Sequence, residues 1–106
     1  MAIPLSAGLL DACVLAMLER QDLYGYVLTQ NIQDVAEISE STLYPVLRRL
    51  QKEGCLTTYD QPFQGRNRRY YAITPLGRER LKQTAGEWAT FKARIDALLG
   101  GGIADE

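Results

Sequence analysis

The chain has no histidine and only two cysteines among its 106 residues. Without histidine it lacks the commonest general base, and Ser-His-Asp or Cys-His catalytic arrangements are excluded. Cys13 and Cys55 do not form a Cys-x-x-Cys pair, which argues against a zinc site. A Gly-rich phosphate-binding loop and a paired-carboxylate arrangement are also missing from the sequence. We therefore predict no catalytic residues, no metal and no cofactor, and a protein that is not an enzyme.

Long apolar runs are missing as well. No stretch approaches the roughly 20 apolar residues that a transmembrane helix needs. Residues 1–7 lack the basic start and apolar region of a signal peptide. We therefore expect a soluble, cytoplasmic protein whose two cysteines are reduced and behave as small buried hydrophobic side chains. The length favours one compact domain with a modest core.

Positive charge is concentrated in one segment. The net charge is −1, but residues 41–82 contain nine Lys/Arg and three Asp/Glu, a net charge of +6. The rest of the chain contains three Lys/Arg and ten Asp/Glu, a net charge of −7. This asymmetry indicates a localised surface for a polyanion such as nucleic acid.

The start of the basic segment, residues 41–54, predicts a short helix with two faces. Its apolar residues recur at the spacing of one helical face: Leu43, Val46, Leu47 and Leu50. A second face carries an aromatic and basic set: Tyr44, Arg48 and Lys52, with Arg49 beside them. A helix buried on one side with Tyr, Arg and Lys on the other is suited to reading the DNA major groove. The alternative is an ordinary amphipathic helix with a solvated charged face.

Proline fixes the start of this helix. Because proline is tolerated only in the first turn, Pro45 predicts a start near Ser41 or Thr42, either of which can cap the helix. Gly54 supplies the stop. Tyr44 and Arg48 then lie near the N-terminal end, which reaches base edges in helix-turn-helix proteins. Alternatively, Tyr44 folds back beside Arg48 without touching DNA.

The remaining elements follow from apolar spacing and turn residues. Two helices are predicted over 5–20 and 24–34, with residues 21–23 as a turn and Tyr24, Val27, Leu28 and Ile32 on the buried side of the second. Short β patterns over 56–59 and 69–73 predict a hairpin. The basic loop between them, 60–68, offers Gly65 and Asn67 for positive φ.

A long helix is predicted over 75–99, with Thr74 as its N-cap and Pro75 at its first position. Its apolar residues alternate at spacings of three and four, a heptad-like seam: Leu81, Thr84/Ala85, Trp88, Phe91, Ile95 and Leu98. Such a helix is about 36 Å long. We expect its far half to pack on another chain, because a domain this small does not cover it.

Three helices, a hairpin and a long helix, in this order, predict a winged helix-turn-helix. The fold class is mainly α with a small β-hairpin. Residues 1–74 form the DNA-binding domain, and residues 75–106 form a C-terminal dimerisation helix and short tail. Arg66, Asn67 and Arg68 at the wing are predicted to contact phosphate or the minor groove. The alternative for these wing residues is a solvated loop.

Three motifs, over 23–26, 41–54 and 65–77, resemble the PadR family of bacterial transcriptional regulators. The second reads Thr-Leu-Tyr-Pro-x-Leu-x-Arg-Leu-x-x-x-Gly. The third reads Gly-Arg-x-Arg-Arg-Tyr-Tyr-x-x-Thr-x-x-Gly. The single C-terminal helix is similar to that of the short, LmrR-like subfamily.

This resemblance implies a homodimer that binds an inverted repeat in a promoter, usually as a repressor. The positions matching the family's DNA-contacting helix are Ser41, Thr42, Tyr44, Pro45, Arg48 and Lys52. Those matching its wing are Gly65, Arg66, Asn67 and Arg68. In LmrR-like members a Trp in the dimerisation helix faces its symmetry mate across a pore that takes flat aromatic compounds. Trp88 stands at the corresponding place.

Two alternatives remain open. Trp88 either stacks on an aromatic effector or packs in the dimer interface, where Phe91 would fill the space between the two indoles. Asp96 is either a counter-charge for a cationic ligand or a solvated surface acid. At the level of the whole protein, the alternative to a DNA-binding regulator is a winged-helix protein–protein interaction module.

Overall fold

The computed structural model describes residues 6–100. Four helices and three strands follow one another in this part of the chain: α1 (Ala7–Arg20), β1 (Leu23–Tyr24), α2 (Gly25–Val35), α3 (Glu40–Lys52), β2 (Leu56–Phe63), β3 (Arg66–Ile73) and α4 (Pro75–Leu99). This mainly helical order with one small sheet confirms the predicted winged helix-turn-helix fold. Among these residues no helix has the length and hydropathy to cross a membrane.

The core lies where α1, α2 and α3 meet the inner face of the sheet. Its fully buried aliphatic side chains come from the apolar faces of the three helices: Val14, Leu15, Leu18, Leu28, Ile32, Leu43, Leu47 and Leu50. Ile38, in the connector after α2, packs against this cluster. The buried face predicted for α2 is partly wrong, because Val27 is 38% exposed and Tyr24 precedes the helix.

The two cysteines differ in environment. Cys55 is fully buried, whereas Cys13 on α1 is only half-buried, and both thiols are free. Burial raises the pKa of the Cys13 thiol. The prediction of a buried hydrophobic role therefore holds fully for Cys55 and partly for Cys13.

The sheet has a third strand that the sequence did not reveal. The strands lie in the order β1-β3-β2, and β1 pairs antiparallel with β3 through Leu23 opposite Tyr71 and Tyr24 opposite Tyr70. The turn predicted at 21–23 is therefore wrong at Leu23. A two-residue strand is too short for any alternation of apolar residues, and its pairing partner is distant in sequence.

The hairpin is longer than predicted. Most of the expected loop, 60–68, is strand, because β2 and β3 pair in register from Leu56 opposite Ile73 to Phe63 opposite Arg66. The two-residue turn is formed by Gln64 and Gly65, with φ of 51° and 80°. Positive φ at both positions suits the right-handed twist of a tight hairpin. Asn67, which we expected to be available for positive φ, is paired within β3 instead.

The third helix begins one residue before the predicted window. Its N-cap is Ser39, whose hydroxyl accepts a hydrogen bond from the backbone N–H of Thr42 at 3.3 Å. The hydroxyls of Ser41 and Thr42 lie 2.9 and 3.1 Å from the Ser39 oxygen. The predicted caps Ser41 and Thr42 are therefore first-turn residues. Gly54 follows the helix with φ of 84°, as its stop role requires.

The long helix matches its prediction at both ends. Thr74 accepts a hydrogen bond from the Gly77 N–H at 3.1 Å and donates one to the Gly54 carbonyl at 2.5 Å. The helix continues to Leu99 and packs on α1. Leu81 is its last buried side chain. Beyond Leu81 the apolar seam of α4 is therefore only partly covered in the single chain.

Candidate nucleic-acid interface

The exposed side of α3 carries the aromatic and basic set predicted from the sequence. Tyr44 is 37% exposed, and Pro45, Arg48 and Lys52 are also exposed. The opposite side is anchored in the core, so the helix presents this face rigidly. Neither Arg48 nor Lys52 forms an ion pair with another described residue. Both cations are available to a polyanion.

Arg49 lies apart from this face. Its Nη2 is 2.6 Å from Asp11 Oδ1 on α1, and its Nη1 is 3.4 Å from Glu53 Oε1. Glu53 also pairs with Arg80 on α4. Hydrogen bonding from Arg80, followed by the charges of Arg80 and Arg49, lowers the pKa of Glu53. Arg49 therefore belongs to an ion-pair network that joins α1, α3 and α4, and its predicted DNA contact stays a prediction.

The wing residues predicted as one basic loop occupy different environments. Arg66 and Asn67 are exposed beside the turn. Arg69 is exposed too, with its Nε 3.7 Å from Asp60 Oδ1. Arg68 is half-buried, with its guanidinium carbon 3.7 Å from the centroid of the Phe63 ring and 4.6 Å from that of Tyr24. Within the described part of the chain, Arg66 at the tip has neither an ion pair nor a cation–π contact.

An aromatic cluster covers the outer face of the sheet. Tyr59 and Tyr70 stack with centroids 5.5 Å apart and planes at 10°, and Tyr24 lies 6.0 Å from Tyr70. Tyr59 Oη donates a hydrogen bond to Asp22 Oδ2 at 2.7 Å, which raises the pKa of Tyr59. The adjacent residues Tyr70 and Tyr71 are both half-buried, because Tyr71 packs on the core while Tyr70 stacks on the outer face.

The sequence analysis missed this aromatic cluster, although the alternation of side chains along the two strands predicts it. Once the hairpin register is known, alternation places residues 59, 61 and 63 of β2 on the same face as 66, 68 and 70 of β3. The register could not be read while residues 60–68 were taken as a loop.

The far half of α4 presents an apolar surface. Trp88 is 40% exposed, Phe91 54% and Leu98 66%, with Ile95 half-buried. The rings of Trp88 and Phe91 lie 6.1 Å apart. A cleft of about 240 Å³ between α1 and this surface is lined by Ser6, Gly8, Leu9, Thr84, Glu87, Trp88 and Phe91.

Acidic side chains near this surface are few. Glu87 lines the cleft, whereas Asp96 does not and pairs with Lys92 at 3.0 Å. The structure thus favours a surface role for Asp96. Over residues 6–100 no group of three His, Cys, Asp or Glu side chains is arranged to hold a metal ion.

Comparisons with known proteins agree with this geometry. Residues 14–83 match the sequence profile of the transcriptional regulator PadR-like family. A transcriptional regulator of Mycobacterium tuberculosis is 38% identical over 63 residues, which cover 58% of this chain and 59% of that protein. A crystal structure of a Streptococcus mutans protein covers 93% of both chains at 43% identity, with a TM-score of 0.87. That of a PadR-like transcriptional regulator from Bacillus cereus covers 89% of this chain and 94% of its own at 31% identity, with a TM-score of 0.80.

Proposed function

Since the chain belongs to the PadR-like family of transcriptional regulators, as its motifs predicted, we propose that it is a homodimeric repressor of an inverted-repeat promoter site. Members of this family are DNA-binding regulators. The observation that carries the proposal is the exposed face of α3, where Arg48 and Lys52 are free of ion pairs within the described chain.

In this proposal α3 enters the major groove with its N-terminal end foremost. Tyr44 and Arg48 face the base edges, where a planar guanidinium can donate two hydrogen bonds to guanine. Ser41 and Thr42 donate to phosphate from the first helical turn, and Pro45 shapes the contact surface beside them. Lys52, two turns along the helix from Tyr44, neutralises a backbone phosphate.

The wing supplies a second, less specific contact. Arg66 and Asn67 are exposed beside the tight turn at Gly65. A cationic side chain at the tip of a ribbon suits the phosphate backbone or the narrow minor groove. We assign this contact to Arg66 and Asn67, and treat Arg68 separately below.

The second copy of the chain packs along α4. The seam residues Trp88, Phe91 and Leu98 remain exposed in one chain, and burying such apolar surface stabilises an association. A two-fold dimer repeats the α3 surface, and two such helices read half-sites about 34 Å apart, one turn of DNA. Helix α4 thereby sets the spacing of the two readers.

An aromatic effector at Trp88 is the regulatory part of the proposal. The cleft beside Trp88 and Phe91 opens onto the face we assign to the dimer, and Glu87 offers a negative charge to a cationic compound. A ligand that binds one dimer arrangement more tightly shifts the spacing of the α3 helices. Quenching of Trp88 fluorescence by aromatic compounds that also release DNA supports this role, whereas DNA release without quenching excludes Trp88 as the sensor.

The DNA contact is tested by salt dependence. Arg48→Gln and Arg66→Gln are compared with wild type by fluorescence anisotropy on a duplex that the wild type enriches from a random-sequence pool. Each phosphate contact contributes about 0.9 to the magnitude of the slope of log K against log salt, so a variant that loses one contact in each chain of the homodimer reduces that magnitude by about 1.8. We expect this loss for Arg66→Gln, and for Arg48→Gln a loss of discrimination of roughly tenfold or more between enriched and scrambled duplexes.

Arg94→Gln is the matched control, because Arg94 lies on α4 away from α3 and the wing. It removes the same charge and keeps the wild-type slope. A wild-type affinity that is insensitive to salt contradicts the proposal and favours the protein–protein interaction module.

A further inference from the structure

The outer part of the wing lacks a third strand. β1 pairs only with Tyr70 and Tyr71, so the segment from Asp60 to Arg69 is a two-stranded ribbon. An isolated two-stranded ribbon is marginally stable in water. A wing that contacts DNA at a set angle to α3 therefore needs support from outside its own strands.

Arg68 links this ribbon to the rest of the sheet. Its guanidinium lies over Phe63 of β2 at 3.7 Å and over Tyr24 of β1 at 4.6 Å, while Arg68 itself belongs to β3. One side chain thus joins all three strands beyond the end of β1 pairing. Contacts of a guanidinium with aromatic faces are attractive at these distances.

The strand β1 leads directly into the helix-turn-helix. Tyr24 is the N-cap residue of α2. The next residue, Gly25, packs against the Tyr71 ring, and a Cβ added to Gly25 would lie 3.2 Å from Tyr71 Cε1. The hydrogen bond from Tyr59 to Asp22 is a second link between β2 and the residues before α2. The contact between Arg68 and Tyr24 therefore fixes the position of the wing relative to α2 and, through the core, relative to α3.

We propose that Arg68 is a positioning residue that sets the angle of the wing, not a DNA-contacting one. The set Arg68, Tyr24 and Phe63 is named the wing clamp. The inference rests on the proposed DNA contact of the wing, but the clamp is also measurable without DNA. This role distinguishes Arg68 from Arg66, which lies at the tip and has no cation–π partner among residues 6–100.

The test compares Arg68→Gln, Tyr24→Leu and the double variant on the same enriched duplex over a salt series. Each single variant weakens binding about three- to tenfold, the range expected for losing a partly desolvated cation–π contact. The slope of log K against log salt stays at the wild-type value. The double variant binds the duplex as tightly as whichever single variant has the lower affinity. Arg66→Gln, which removes the same charge two residues away, reduces the magnitude of the slope by about 1.8, because both chains of the dimer lose a phosphate contact.

Hydrogen exchange of the free protein gives an independent readout. In Arg68→Gln, amides of 60–69 exchange faster while those of α3 keep their protection, which also shows that the variant folds. If Arg68→Gln reduces the magnitude of the slope by about 1.8 and its loss of binding free energy adds to that of Tyr24→Leu, the inference is overturned in favour of a direct phosphate contact. Unchanged exchange in the wing overturns the clamp itself, and a wild type that does not bind DNA sinks the proposed function alone.

Discussion

Glu53 is the residue at which charge, stability and the position of α3 meet. Its carboxylate accepts hydrogen bonds from Arg80 on α4 and from Arg49 on α3, and these partners lower its pKa. A lowered pKa in the folded state stabilises the fold above the ordinary glutamate pKa of about 4.3. That contribution is lost as the pH falls through the folded-state pKa.

Glu53→Gln is therefore expected to flatten the acid limb of the stability profile. As the pH falls from neutral to below the ordinary glutamate pKa of about 4.3, wild type loses stability, and the glutamine variant loses less because its amide does not titrate. The effect is small, since the ion pairs are exposed and screened. Urea denaturation midpoints across this pH range measure it.

Glu79→Gln is the control, because Glu79 on α4 has no ion pair among the described residues. It should keep the wild-type acid dependence. Parallel profiles for wild type and Glu53→Gln would show that the network contributes nothing to acid sensitivity.

The arginines show how far residue-level prediction reaches. The exposed positions of Arg48 and Arg66 agree with helical spacing and turn position. Arg49 and Arg68 carry the same charge in the same segment, yet one pairs with Asp11, 38 residues away, and the other stacks on Tyr24. Such partners are set by tertiary packing, which the local pattern around each arginine does not contain.

At the scale of elements, the join between the wing and α4 depends on a glycine. Gly77 lies in the first turn of α4, where an added Cβ would lie 2.3 Å from the Cys55 carbonyl oxygen and 2.8 Å from Ile73 Cγ1. The Cys55 carbonyl is part of the backbone and cannot move aside for a Cβ as the end of a flexible side chain can. The close approach of α4 to the start of β2 therefore requires glycine at this position.

Gly77→Ala should destabilise the protein by about 1–3 kcal/mol, the usual cost of overpacking. Gly86→Ala, in the same helix, meets nothing within 4 Å and lies opposite the seam. This matched change should stabilise by up to about 1 kcal/mol through helix propensity. Chemical denaturation compares the two, and equal effects of the two substitutions would refute the packing explanation.

The elements themselves were predictable in proportion to their length. The four helices carry several turns of apolar spacing, and proline, glycine or hydroxyl residues flank α3 and α4. Each helix was therefore found with errors of one or two residues at the described ends. The wing was underestimated because exposed polar residues of a two-stranded ribbon show no apolar alternation. The cap of α3 was misplaced because Ser39, Ser41 and Thr42 are all chemically able to cap a helix.

At the scale of the whole molecule, the long helix α4 determines whether two chains associate and so present two copies of α3 to DNA. A single chain leaves Phe91 and Trp88 uncovered, and two copies joined along α4 would cover them. Phe91→Asp should therefore weaken self-association without unfolding the chain, since Phe91 is already half exposed. Thr90→Asp adds the same charge opposite the seam and should leave association unchanged.

The stoichiometry of the DNA complex shows whether the protein binds its duplex as a dimer or as a monomer. Native mass spectrometry of the wild type with its enriched duplex should give two chains per duplex, and a dimer without DNA. Thr90→Asp should give the same masses, whereas Phe91→Asp should give free monomer and weaker DNA binding. A wild type that is monomeric and binds one chain per duplex, or none, would contradict a dimeric repressor.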